Sequence, residues 1–205
     1  MSTRMSSQLL PGAQEEEQNE AIPKEEEEKE ETPLDKKVNE CLQEFYQLMN
    51  EHGLKLGLKK SNFAVAHGMY NENNYSTAAD IAKLCCVCMR NEQFREVVKE
   101  SEHTCRSTQY SNHIYEWENT NFLLKQGYTG VKTGVTPTAG PCLAASTKKE
   151  GYHVVVVVLS CASMDSRWYE VPKLVAWGVK KMERIRQSKL KPKVKKKILK
   201  SITYI

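Results

Sequence analysis

Five consecutive valines, residues 154–158, leave a strand with no polar face. A strand wet on one side alternates apolar and polar residues, so this run is expected to lie at the centre of a sheet, covered on both faces. Residues 142–147 and 152–160 flank Lys148-Lys149-Glu150-Gly151, a turn composition that closes a hairpin. Whatever else the chain does, it must supply helices or a partner to bury both sides of that hairpin.

The sequence around it supplies helices. Thr32 can cap a helix and Pro33 suits its first position; Leu34, Val38, Cys41, Leu42, Phe45, Leu48 and Met49 then recur at helical spacing up to Gly53. An apolar stripe of that kind is expected to bury against something. A second helix is expected from Ser76 as cap through Ala79, Ile81, Ala82, Leu84, Cys85 and Cys88, and a short third one carries Phe94, Val97 and Val98. After Thr104 the texture turns to β type, with residues 110–117 and then a segment around Lys132 broken by Gly127, Gly130 and Gly134. Trp168, Val171, Leu174, Val175 and Trp177 predict a helix packing back on the sheet, with Pro172 either kinking it or marking its first turn. The class is α+β: an antiparallel sheet of about three strands packed by helices.

With 205 residues one domain is expected. The net charge of +4 conceals a polarity, because the glutamates cluster before residue 32 and the lysines after residue 180. Residues 1–31 read as a disordered acidic tail, too poor in apolar side chains to offset ordering entropy; residues 32–179 as the folded domain; residues 180–205 as a basic tail. Within that tail Leu190, Val194, Ile198 and Leu199 are interspersed among lysines. Pro192 interrupts a helical pattern, so a solvated tail is favoured over a basic amphipathic helix. Acidic protein, anionic membrane surface and the chain's own glutamates would all attract it, whereas no aromatic base-stacking pattern singles out nucleic acid.

No apolar run is long enough for a secretory signal or a bilayer span. Seven cysteines, an odd number without paired metal-finger spacing, point to a reducing, intracellular and cytoplasmic setting. Cys85-Cys86-Val87-Cys88 sits on a helical pattern and reads as small buried side chains rather than as a metal or redox cluster. No metal or cofactor is expected.

One triplet carries chemistry. Lys132-Thr133-Gly134 has the form of the third motif of serine acyl-transferases, whose other two are Ser-x-x-Lys and Ser-x-Asn. It stands in an ordered series: Met49-Asn50 with Leu56-Gly57-Leu58, then residues 63–69, then Tyr75-Ser76-Thr77-Ala78 with Asp80 and Ala82, Phe94-Arg95, Asn119-Thr120-Asn121 and Leu123-Leu124. Beyond the triplet come Ala139-Gly140, Cys142-Leu143, Ala145-Ser146, Lys173-Leu174 and Trp177-Gly178. Over residues 49–179 this series resembles the downstream half of the catalytic domain of the D-alanyl-D-alanine carboxypeptidases, the low-molecular-mass penicillin-binding proteins with a β-lactamase-like fold. Val65 and Ala66 depart from it, standing where that family has Asn and Pro.

The resemblance implies a peptide bound as an added strand, its terminal carboxylate attracted by Lys132 and hydrogen-bonded by Thr133. Gly134 would keep the strand surface open, and the Val135 N–H would form half of an oxyanion hole. A solvated strand lysine is the plain alternative for Lys132. The family's Ser-x-x-Lys helix, the Ser-x-Asn motif and the upstream strands find no counterpart before Met49, so no catalytic residue is assigned. Two Ser-x-x-Lys strings, at Ser146 and Ser188, sit at a strand end and in the basic tail, where neither is a buried helix start. His67, beside Gly68, is expected to hold a turn rather than to act on substrate. The expectation is an inactive or truncated homologue that binds a carboxylate-ended peptide; the alternatives are an interaction protein reusing the half-domain, with a partner over the exposed sheet face, and one fragment of an active carboxypeptidase.

Overall fold

In the computed structural model, residues 32–109, 113–188 and 190–202 are described, so the acidic segment 1–31 lies outside them. Chain order is α1 (Pro33–Lys55), α2 (Ala78–Cys88), α3 (Glu92–Lys99), β1 (Glu102–Arg106), β2 (Ile114–Glu118), a short 3-10 turn (Phe122–Gln126), β3 (Gly130–Thr136), β4 (Gly140–Lys149), β5 (Tyr152–Val158), α4 (Ser166–Gln187) and α5 (Pro192–Ile202).

The valine run forms β5, hairpinned to β4 with Ala145 opposite Val156 and Lys149 opposite Tyr152. Its side chains divide by parity. Val154, Val156 and Val158 join Leu143, Ala145, Leu123, Val171, Val175 and Val179 in the core under α4. Val155 and Val157 pack with Cys85, Val131 and Ala144 under α2 and α3. Both faces are therefore covered, as an all-apolar strand requires. The order β3-β4-β5 corrects one expectation: among the described residues β4 is central and the valine strand is an edge. Cover by helices on two faces suffices to make a strand apolar throughout, and the pattern carries no information about in-plane neighbours.

Thr32 caps α1 in a capping box with Asp35, and Pro33 takes the first helical position. Gly53 is the one residue of this helix that is buried. The expected burial of the stripe is thus not met among the described residues: Leu34, Val38, Phe45 and Leu48 are exposed. α2 also differs by one residue from expectation. Thr77, not Ser76, accepts from the Asp80 N–H as cap, while Ser76 Oγ meets Ser61 Oγ at 2.7 Å.

β1 and β2 form a separate antiparallel ribbon, Glu102 opposite Glu118 and Arg106 opposite Ile114. The β-type stretch at residues 110–117 is realised from Ile114 onward; residues 110–112 lie outside the described ones. Beyond residue 179 the chain is helical, against the expectation that Pro192 would interrupt a helix, while residues 190–197 stay exposed apart from the half-buried Lys195, so the basic segment is solvated and helical at once. α4 runs through Pro172 to Gln187 with Val179 buried, and Pro192 opens α5 as its first residue instead of interrupting it.

Candidate functional site

The Lys-Thr-Gly triplet lies on β3, which has β4 on one side and no strand on the other among the described residues. Register is fixed by pairing, with Lys132 opposite Ala144, Gly134 opposite Cys142 and Val135 opposite Pro141. Gly130 opens the strand at φ +142°, and a Cβ there would come within 2.7 Å of Val98 Cγ2, so only glycine lets α3 approach so closely.

A polar brace holds this strand from behind. Asn121, 3 % exposed, donates from Nδ2 to the Gly130 carbonyl at 3.0 Å and accepts from the Leu123 N–H at 3.2 Å. Asn119 accepts from the Asn121 N–H and donates to the Glu100 carbonyl. Between them Thr120 Oγ1 lies 2.6 Å from Thr133 Oγ1. A buried polar side chain such as Asn121 is costly unless satisfied, and here its amide both donates and accepts. The Asn119-Thr120-Asn121 string therefore positions the triplet, a role its sequence order alone did not disclose.

Of the four residues expected to hold substrate, Lys132 is exposed with Nζ donating to the Thr133 carbonyl, Thr133 is half-buried, and Gly134 and Val135 are exposed. The structure brings all four to one open edge. A Cβ on Gly134 would touch only Cys142 Cβ, at 3.9 Å, so what the glycine leaves free is its outer side. Past the end of β3 a recess of about 360 Å³ is bounded by Gly68, Met69, Tyr70 and Asn74 on one wall and Thr136 and Thr138 on the other. His67 Nδ1 accepts from the Met69 N–H in that wall, which is the turn-holding role expected of it.

Arg167 was not anticipated. It is 4 % exposed, donating from Nε to the Met164 carbonyl and from Nη1 to the Cys142 carbonyl, with its guanidinium 4.6 Å above the Trp168 ring. No described carboxylate forms a salt bridge with it. A buried guanidinium without an anion, anchored on the residue opposite Gly134, places fixed positive charge at that end of the strand.

Neither Ser-x-x-Lys string has a catalytic setting. Ser146 is buried in β4, its Oγ 2.9 Å from Thr129 Oγ1, and Lys149 three places on points to the opposite face of the strand. Ser188 ends α4 and donates to the Ile185 carbonyl. Burial pushes the Cys85 thiol up to about 12 and raises Cys86 and Cys88 as well, against thiolate chemistry. No group of three His, Cys, Asp or Glu side chains among the described residues is placed to hold a metal ion.

An open strand edge with a lysine, a braced threonine and a bare glycine, backed by an antiparallel hairpin and flanking helices, defines a penicillin-binding-protein-like fold. The D-alanyl-D-alanine carboxypeptidase family profile matches residues 34–163, and the chain belongs to that family. The D-alanyl-D-alanine carboxypeptidase of Streptomyces sp. strain K15 is 34% identical over 139 residues, covering 65% of this chain and 48% of that protein. DacF of Bacillus subtilis strain 168, also a D-alanyl-D-alanine carboxypeptidase, is 31% identical over 161 residues, covering 75% and 41%. Among solved structures, the Streptomyces K15 DD-transpeptidase superposes with a TM-score of 0.62 at 34% identity, over 66% of this chain and 53% of that one. Penicillin-binding protein D2 of Listeria monocytogenes, bound to cefotaxime, gives 0.55 at 28% identity over 64% and 53%. The chain spans about half the length of the relatives it matches.

Proposed function

We propose that these 205 residues form the substrate-holding half of a serine-type D-alanyl-D-alanine carboxypeptidase, binding a peptide with a free terminal carboxylate and not hydrolysing it. The observation that carries this is the open edge of β3, with Lys132 exposed on it and Arg167 buried without a carboxylate beside Cys142. An incoming peptide adds as a fourth strand, its carboxylate drawn by Lys132 and Arg167 and fixed by the Thr133 hydroxyl, which Thr120 holds in place. The Val135 N–H is half of an oxyanion hole. Attack needs a hydroxyl beside that hole and a base beside the hydroxyl. Ser61, Ser146, Ser163, Ser166 and Ser188 direct their hydroxyls to oxygen or sulfur partners and none to a lysine amine. Removing the nucleophile from a hydrolase of this logic costs roughly six orders of magnitude in rate, which separates a binder from an enzyme.

A second function, an interaction module that reuses the half-domain with a protein over its bare faces, is favoured by one feature, the exposed apolar stripe of α1. Titrating ¹⁵N-labelled protein with an N-acetylated peptide ending in D-Ala-D-Ala distinguishes the two. Binding predicts shifts at Lys132, Thr133 and Val135, about tenfold weaker affinity in Lys132→Ala, and none once the peptide is amidated at its C-terminus. Equal binding of the amidated peptide would remove the carboxylate site and leave the interaction module. A fluorescent penicillin is expected to leave no covalent label, and acylation of any serine would make the chain an enzyme.

A further inference from the structure

A cavity of about 490 Å³ opens beneath the start of β3, between the sheet and the helices α2 and α3. None of the four residues on the carboxylate edge lines it. Its walls grade from apolar to cationic. Pairing sets the gradient on the sheet side: Ser146 lies opposite Val155 and Lys148 opposite His153, and all four face α2 because alternate residues of a strand share a face. Two residues, about 7 Å of strand, separate the buried Ser146 and half-buried Val155 from the exposed Lys148 and His153. The helix side repeats the order. Cys86 and Met89 are half-buried along the interior, whereas Arg90 next to them is exposed at the rim.

The polar atoms of the interior are already occupied. Ser146 Oγ lies 2.9 Å from Thr129 Oγ1 and 3.9 Å from Met89 Sδ. Burial raises the pKa of the Cys86 thiol, and the Arg90 charge pulls it the other way, which sets that guanidinium close to the inner wall. A ligand therefore meets mainly carbon and sulfur inside. At the rim the charges do not cancel. Glu96 is the one carboxylate in the lining, and it is paired with Lys99. Arg95 donates from Nη1 to the Met89 and Arg90 carbonyls at 3.0 Å each, which answers the negative end of α2. Arg90 and Lys148 form no salt bridge with a described carboxylate, and their two positive charges are left over.

Those two properties define a ligand. An uncharged apolar molecule would leave the rim cations unanswered, and a sugar would lose its hydrogen bonds to water against Met89 and Val155 without replacing them. A polyanion such as nucleic acid needs a row of cations rather than two. What matches is a molecule with one anionic end and an apolar body, and the cavity lies within the roughly 300–1,000 Å³ of small-molecule pockets. We propose that this cavity binds a medium-chain alkyl carboxylate, its chain against Met89 and Val155 and its carboxylate between Arg90 and Lys148.

Titration of the ¹⁵N-labelled full chain with octanoate, kept below its micelle concentration, tests this. The expected result is saturable shifts at the Met89 and Val155 amides and none at Thr133 or Val135, which keeps this site separate from any peptide on β3. Decanoate is expected to bind about tenfold more tightly, because two more methylenes leave water. Octan-1-ol should bind about tenfold more weakly than octanoate, and acetate should not saturate the same amides. Arg90→Gln and Lys148→Gln change exposed side chains, so the urea midpoint should hold while octanoate binding weakens about three- to tenfold in each. The site is overturned by no shift at Met89 or Val155, by octan-1-ol or acetate matching octanoate, by decanoate binding no more tightly, or by undiminished octanoate binding in the double variant.

Discussion

The two long helices of this protein are built from similar materials and live in different environments. α4 presses Val171, Val175 and Val179 into the sheet, where they are 0–3 % exposed beside Leu143 at 1 %. α1 carries an apolar stripe of the same length, yet Leu34 is 69% exposed, Phe45 50% and Leu48 50%. A capping box, a proline at the first position and 23 residues of length are enough to specify a helix locally. They do not supply a surface to bury it. The first helix is secured by signals within itself, and the second by residues far away in the chain.

The sharpest way to break this contrast is to truncate one side chain on each. Leu143→Ala is expected to lower unfolding free energy by about 2–5 kcal/mol, because its site is packed on every side and collapses poorly. Phe45→Ala on α1, although it removes more atoms, is expected to stay within about 0.5 kcal/mol. Urea midpoints of the purified variants measure both. A Phe45→Ala cost comparable with that of Leu143→Ala would mean that the stripe is covered in solution, by another chain or by another copy, and the contrast would vanish.

A smaller effect is expected at the joint between the two regions. After α1 the chain turns through Gly57 and Leu58 and is tied to α2 by Asp80, which accepts from the Lys60 N–H at 2.7 Å, Ser61 Oγ at 3.0 Å and Lys83 Nζ at 2.8 Å. Lys83 also donates to the Gly57 carbonyl. Burial by itself raises the Asp80 pKa, but the Lys83 ammonium and the two donors outweigh it and hold the carboxyl below its ordinary 3.8. Asp80→Asn is expected to cost about 1.5–3 kcal/mol at neutral pH, the range for hydrogen bonds to a charged group. Because the folded value is the lower one, that stabilisation is complete above the ordinary carboxylate pKa and fades as pH falls through the folded value. Wild type and Asp80→Asn should therefore differ by a constant amount from pH 7 to about pH 4 and converge only in stronger acid. Convergence near neutral pH would show that the tie does not depend on the carboxylate charge.

What could be read in the sequence divides along the same line. The cap and first turn of α1, the hairpin at Lys148-Lys149-Glu150-Gly151 and the apolar character of β5 were legible because each is decided by neighbours in the chain. The Lys-Thr-Gly strand was legible through its resemblance to a family, and the four residues expected on it do share one open edge. The place of β5 at the sheet edge was not legible, since an apolar pattern records cover by α2 and α4 and says nothing of in-plane pairing. The cap of α2 slipped from Ser76 to Thr77 because two adjacent hydroxyls compete and Ser61, fifteen residues away, claims the first. Arg167 was hidden for a similar reason. Its partner carbonyl belongs to Cys142, and a cation in a helix is ordinarily solvated, so nothing nearby announced a buried one.

The smallest expected effect sharpens the comparison at its local end. Thr32 accepts from the Asp35 N–H at 3.2 Å, and its own N–H and hydroxyl donate to Asp35 Oδ2 at 3.0 and 2.7 Å. Those two donors hold the Asp35 carboxyl below its ordinary value. Thr32→Ala removes the hydroxyl, so the Asp35 side chain should titrate closer to 3.8 and the first turn of α1 should fray, seen as lost amide protection at Asp35 and Lys36. The urea midpoint of the molecule should not move, because a frayed first turn exposes residues that are already exposed. If the midpoint falls together with the protection, α1 unfolds in one cooperative unit with the sheet, and its bare stripe must then be packed against something in solution.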